Sequence, residues 1–351
     1  MLKNYVSAMD QWQGRMDSTE DYEAFRWHQW VQPLNLNEET HPDLGALGFA
    51  FIGFCSDLGV RRNKGREGAA LAPSLLRRRM SNLPCTFVQS VKLFDCGDIL
   101  TDGIELEEAQ SLLAEAVQKI LDMGLFPIVL GGGHETTFGH YLGQLAHCES
   151  ELAHRDEGKE KTEKPDLGIV SFDAHFDMRP YEHGGTSGSM FLQIADICKE
   201  KGIPFGYMPL GIQRHSNTVK LFQTAEEHDV KYMLARMIQY GSQDEVYEHV
   251  DNFMYQHENV YITICSDVFS AAFAPGVSAT QALGLDPEVA IPIIKHVIRT
   301  HKVRGFDVCE IAPRFDQDDT TASLGAVLIF AVVTTLCGMN HLSIDVGADF
   351  F

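Results

Sequence analysis

At 351 residues the chain has room for one large domain or two ordinary ones, and with 44% apolar residues it can bury a sizeable core. A formal charge of −21 makes a surface that repels nucleic acid and anionic lipid at long range, so neither is expected as a partner. The eight cysteines lack paired CxxC spacing and Met1–Asp17 has no apolar signal-peptide core; together these lead us to expect free thiols and a cytoplasmic protein.

In chain order, the first 45 residues read as an accessory helical preface. Strands are predicted at Phe49–Phe54 and Val91–Cys96, then a helix at Glu105–Asp122 and a strand at Phe126–Leu130. A helix follows at Thr136–Ala146. The mixed-charge run Glu149–Asp166 reads as a solvated insertion before the strand Leu167–Phe172. The pattern continues with a helix at Met190–Lys201, a strand at Phe205–Leu210, a helix at Glu245–Gln256 and a strand at Val260–Cys265. It closes with a helix at Pro287–Thr300, a strand at Gly305–Ile311 and a helix at Ala322–Cys337. That last stretch is apolar and uncharged, but a membrane span needs about 20 predominantly apolar residues. Ser323, Gly325, Thr334, Thr335 and Gly338 interrupt this one, so it reads as a buried core helix. Apolar strands separated by amphipathic helices imply an α/β fold with a parallel sheet covered on both faces. Nothing in the composition divides the chain, so residues 1–351 read as one domain with 1–45 as its accessory segment.

Ligands of such sheets bind beyond the carboxyl ends of strands, and polar residues gather there. Ile128-Val-Leu runs into Gly131-Gly132-Gly133-His134-Glu135, and Ile169-Val-Ser-Phe into Asp173-Ala-His175-Phe-Asp177-Met-Arg179. Tyr261-Ile-Thr-Ile runs into Cys265-Ser-Asp267, and Phe306-Asp-Val-Cys leads to Glu310. Asp173-x-His175-x-Asp177 sets three donors where they can converge on one or two divalent ions such as Mn²⁺. Such a pair lowers the pKa of bound water. Taken singly, each element has a plainer reading. The Asp-x-His-x-Asp run could be a polar turn, Glu310 a paired strand-end carboxylate and Cys265 a small core hydrophobe. The three glycines lack the Lys-Ser/Thr of a phosphate loop.

In this order and spacing, Gly-Gly-Gly-His-Glu, Asp-Ala-His-Phe-Asp and Asp267 ahead of Ala274-Pro275-Gly276 resemble the metal motifs of the ureohydrolase family. That family includes arginase, agmatinase and formiminoglutamase, and the likeness spans roughly residues 46–340. Gly59-Val-Arg61-Arg62-Asn63-Lys64-Gly65-Arg66, Thr186-Ser-Gly188 and Ala274-Pro-Gly-Val-Ser278 look more narrowly like the formiminoglutamase branch. The resemblance implies a three-layer α/β/α fold around a central, mostly parallel sheet, with two Mn²⁺ ions per subunit. It implies hydrolysis of N-formimino-L-glutamate, a small-molecule substrate of histidine breakdown, to glutamate and formamide. It also implies His134, Asp173, His175, Asp177 and Asp267 as metal ligands, with Asp173 bridging. Glu310 would meet the formimino group, and Asp177 would pass a proton to the departing amine. Self-association is left open.

The chain departs from the family pattern in two places. Ser187-Gly188 stands where arginases and agmatinases carry His-Gly, which argues against a guanidino substrate and urea release. Cys265 replaces a second bridging aspartate among the metal ligands, and a soft thiol matches Mn²⁺ poorly. Weak hold on at least one ion is the expectation; another ureohydrolase acting on a guanidino substrate and a non-catalytic protein on this fold are the rival readings. Arg179, two residues past Asp177, can fork onto a carboxylate of the substrate or form a structural ion pair.

Overall fold

The computed structural model describes residues 1–39, 42–155 and 163–344. Ten strands form one sheet: β1 (Tyr5–Val6), β2 (Gln32–Pro33), β3 (Leu47–Cys55), β4 (Val91–Leu100), β5 (Phe126–Leu130), β6 (Leu167–Phe172), β7 (Gly206–Ile212), β8 (Met233–Leu234), β9 (Asn259–Cys265) and β10 (Val303–Cys309). The helices are α1 (Trp27–Trp30), α2 (Leu58–Arg62), α3 (Ala72–Met80), α4 (Leu106–Asp122), α5 (Thr136–Arg155), α6 (Met190–Lys201), α7 (Val219–Glu227), α8 (Ala235–Tyr240), α9 (Gln243–Gln256), α10 (Pro287–Ile298) and α11 (Thr320–Met339). The sheet runs β1-β4-β3-β5-β10-β9-β6-β7-β8, with β2 also on β4. Every pairing is parallel except β1 with β4. Helices α4, α5 and α6 pack on one face, and α3, α11, α10 and α9 on the other. This is the expected three-layer α/β/α arrangement.

Burial explains the strand sequences. Every residue of β6 is buried, as both faces of a central parallel strand must be. Beyond β5 the chain passes through α5 to β6, which lies on the far side of β10 and β9. The order therefore reverses here, and the carboxyl ends of β5, β10, β9 and β6 surround one crevice, the position where sheets of this kind bind ligands. Helix α11 is long and apolar enough to cross a membrane, yet eleven of its residues are buried against α3 and α10. The core-helix reading fits that packing. All eight cysteines are free thiols.

The preface departs from expectation. Among its described residues it holds only the four-residue helix α1, two 3-10 turns and two short strands, and is otherwise irregular. Its strands line the outer edge of β4, β2 at Phe94–Asp95 and β1 at Asp98–Ile99. Trp12 anchors it: the indole is 6% exposed, stacks at a tilt on Phe51 and donates its Nε1–H to Asp95. Asp95 and Asp98 both grip Arg77, which is fully buried. Trp12→Ala is expected to cost about 3–5 kcal/mol of stability, read as a lowered urea midpoint. Helix α5 also extends beyond the sequence expectation of Ala146 to Arg155, taking in the start of the charged run. The middle of that run lies outside the described residues.

Candidate active site

The glycines after β5 are dictated by closeness. A Cβ on Gly132 would sit 2.2 Å from the Ser56 carbonyl oxygen, and backbone cannot move aside for it. Gly131 N–H donates to Val308 and Gly133 N–H to Ser56, so the loop spends these amides joining β3, β5 and β10 instead of cradling a phosphate. It delivers His134 into the crevice. There the His134 backbone N–H donates to Glu310 Oε1 at 2.9 Å, and Glu310 N–H donates to the Gly132 carbonyl at 2.8 Å.

Two donor groups share Asp173: His134 with Asp173 and Cys265, and Asp173 with His175 and Asp267, the ligand atoms of each lying within 4.8 Å of one another. Asp177 joins the first through His134, whose Nδ1 lies 2.9 Å from Asp173 Oδ2 and 3.0 Å from Asp177 Oδ2. His175 Nδ1 stands 3.4 Å from Asp173 Oδ1 and 3.2 Å from Asp267 Oδ2. The structure thus brings together the five residues that the resemblance implies as ligands and Cys265, with Asp173 common to both groups. Cys265 enters the cluster and is 2% exposed.

The donor set fits cations. Asp173 Oδ2 and Asp267 Oδ1 are buried without a hydrogen bond, a costly state for a carboxylate oxygen. One His134 Nδ1–H cannot serve both aspartates facing it. Burial disfavours charge on His134 and His175, but the surrounding aspartates outweigh it and raise both imidazoles well above their ordinary range. Burial, then the charge of Asp173, pushes Asp177 up. Divalent ions would take over the role of those protons. Burial, reinforced by Asp173 and its neighbours, also lifts the Cys265 thiol well above its usual range. Glu310 is raised by burial and then by Glu135. Asp177 and Glu310 both hold positive φ, 46° and 64°, a region sparsely used by residues other than glycine and concentrated at functional sites.

Two residues past Asp177 the chain enters the wall of a cleft of about 530 Å³, lined by Arg62, Asn63, Lys64, Arg179 and His183 among others. Arg62 is tied to Glu105 and Glu107. Arg179 is exposed, its stem lies over Gly188, and among the described residues no carboxylate pairs with its guanidinium. The ion-pair reading of Arg179 thus finds no partner. Ser187, at the place of the arginase and agmatinase histidine, is buried and accepts from Asn63 Nδ2 at 3.3 Å. Reasoning from sequence gave no role to Lys64, Glu135, Thr137, Thr263 or Asp307. For Asp307 and Thr263 the signal was available: a polar side chain inside a central apolar strand must be partnered.

Paired donor groups at the reversal point of this sheet are placed where they could hold metal ions, and the chain belongs to the arginase family, whose model matches residues 47–334. Within it, the chain is 53% identical to a formimidoylglutamase of Clostridium tetani over 95% of this chain and 97% of that one. Its fold is similar to that of formimidoylglutamase from Bacillus subtilis, with TM-score 0.76, 21% identity, and coverage of 94% of this chain and 98% of that one. It is also similar in fold to Trypanosoma cruzi formiminoglutamase with Mn²⁺, with TM-score 0.72, 22% identity, and coverage of 86% and 96%.

Proposed function

We propose that the protein hydrolyses N-formimino-L-glutamate to L-glutamate and formamide, as a cytoplasmic enzyme of histidine degradation. The observation that carries this reading is the pair of donor groups sharing Asp173, with a cleft lined by cations that the chain enters two residues past Asp177. The name borne by the 53%-identical relative supports the choice of substrate. His134, Asp173 and Asp177 would hold one Mn²⁺, and Asp173, His175 and Asp267 the other, with Cys265 standing beside the first group. Bound there, the ions supply activated water near neutral pH.

The remaining work falls to side chains of this chain. Glu310 accepts hydrogen bonds from the formimino nitrogens, and a cationic partner draws its carboxyl back toward the ionised form. Asp177, whose proton affinity is raised by burial and by Asp173, is suited to delivering a proton to the departing amine. Water adds its oxygen to the formimino carbon, the bond from that carbon to the glutamate nitrogen breaks, and that nitrogen leaves protonated. Arg179 forks onto a substrate carboxylate. Arg179→Met is expected to raise KM about ten- to a hundredfold, from about 1.5–3 kcal/mol of lost charged hydrogen bonding. Unchanged KM in steady-state assays would assign Arg179 to structure instead.

The reading is tested by assaying the Mn²⁺-loaded protein on formiminoglutamate, arginine and agmatine. Formamide and glutamate in equal amounts, with no urea, are expected. Urea from a guanidino substrate, or no turnover of any of the three, would overturn it.

A further inference from the structure

Behind His134, away from the cage, runs a buried chain of hydrogen bonds with no part in the steps above. His134 Nε2 lies 3.0 Å from Thr263 Oγ1, and Thr263 Oγ1 lies 2.9 Å from Thr137 Oγ1. Thr137 Oγ1 reaches Asp307 Oδ1 at 3.5 Å, the longest link, and His140 Nδ1 holds Asp307 Oδ2 at 2.7 Å. Beyond it, Gln144 Nε2 lies 3.1 Å from His140 Nε2 and 3.3 Å from the Arg304 carbonyl oxygen. Thr137, His140, Thr263 and Asp307 are each 0% exposed.

Donor and acceptor chemistry gives this chain a direction. The Arg304 carbonyl only accepts, so Gln144 presents its amide N–H groups, and His140 Nε2 accepts one. His140 then carries its hydrogen on Nδ1 and donates to Asp307. Thr137 donates to Asp307 Oδ1, so Thr263 donates to Thr137, and His134 Nε2–H donates to Thr263. With Nε2–H committed to Thr263, Nδ1, the nitrogen that faces Asp173 and Asp177, is the one left to give its lone pair to an ion that displaces its proton.

We propose that Asp307, held by His140 and acting through Thr137 and Thr263, is a positioning residue that fixes His134 in the tautomer and rotamer able to ligate metal through Nδ1. The threonines relay what a carboxylate bonded directly to a metal-ligating histidine does elsewhere. Asp307→Asn keeps the shape but offers an amide N–H to Thr137. The threonine hydroxyls can then turn round, driving the His134 hydrogen onto Nδ1 and into the cage.

This inference rests on the metal-centre reading, and metal titration separates the two. Mn²⁺ affinity and stoichiometry are measured for the parent, Asp307→Asn, Thr137→Ser and Thr137→Val, with Mn²⁺ electron paramagnetic resonance to distinguish a coupled pair from a single ion. Thermal melting of each metal-free protein reads out any purely structural effect. The parent and Thr137→Ser, which keeps the relay hydroxyl, are expected to bind alike. Asp307→Asn and Thr137→Val should bind one ion about ten- to a hundredfold more weakly and lose the coupled signal. Undiminished affinity and coupling in Thr137→Val would overturn the relay even if Asp307→Asn failed to fold. A parent that binds no metal would overturn the metal reading, and the relay with it.

Discussion

Asp177→Asn is expected to slow formiminoglutamate turnover about 10³-fold or more, since in the proposed mechanism one side chain there both helps to hold a metal ion and handles a proton. Loss of general acid catalysis alone is worth on the order of 10²–10⁴-fold. Asparagine is the informative replacement. Asp177 sits at φ 46°, a conformation asparagine tolerates and alanine resists, so Asp177→Ala adds backbone strain to the chemical loss. His175→Ala should be similarly inactive through the second donor group, while keeping its fold by circular dichroism. The check is kcat after complete metal removal and reloading with Mn²⁺. Parent-like turnover by Asp177→Asn would remove the residue from both roles.

The second large effect concerns Cys265. Its sulfur stands in the donor group with His134 and Asp173, but burial and the negative charge of Asp173 push its thiol well above the usual range and so oppose ionisation. A protonated thiol is no ligand, and a thiolate is soft for Mn²⁺. Cys265→Asp should therefore tighten at least one Mn²⁺ site by about an order of magnitude or more, a change of the size that altered ligand surroundings produce. Binding to the folded state stabilises it, by about 2.7 kcal/mol at a concentration of 100 Kd. The gain should thus also appear as a larger Mn²⁺-induced rise in Tm. Titration with anomalous scattering counts the ions. Two tightly held ions in the parent, unchanged in the variant, would show that the thiol is no handicap.

Much of this was legible in sequence where a single physical rule governs a segment. The strand Leu167–Phe172 and the helix Met190–Lys201 have their predicted bounds. The first is an apolar run flanked by Asp166 and Asp173; the second ends at Gly202, whose φ of 63° closes helices readily. Legibility failed where tertiary partners override local signals. Gly97-Asp98 looks like the end of a strand, yet β4 runs on to Leu100 because Asp98 is paired with buried Arg77. Helix α3 hid behind Arg77-Arg78-Arg79, which reads as solvated charge. The cluster of donor side chains was legible because its residues lie within a few positions of strand ends. The relay to Asp307 was not, since His140, Thr263 and Asp307 meet only once three separate elements pack.

The place of β10 in the sheet bears on how the molecule comes into being. Chain order leaves Val303–Cys309 until near the end, yet this strand lies between β5 and β9. A nascent chain emerging from the ribosome can pair β4-β3-β5 and β9-β6-β7-β8, but each half-sheet then bares an apolar inner strand edge, the kind that invites association with other chains. Insertion of β10 zips the halves together and, in the same event, brings Glu310 to His134 and Asp307 to His140. Chains stopped short of Val303 should consequently be insoluble and inert rather than partially active.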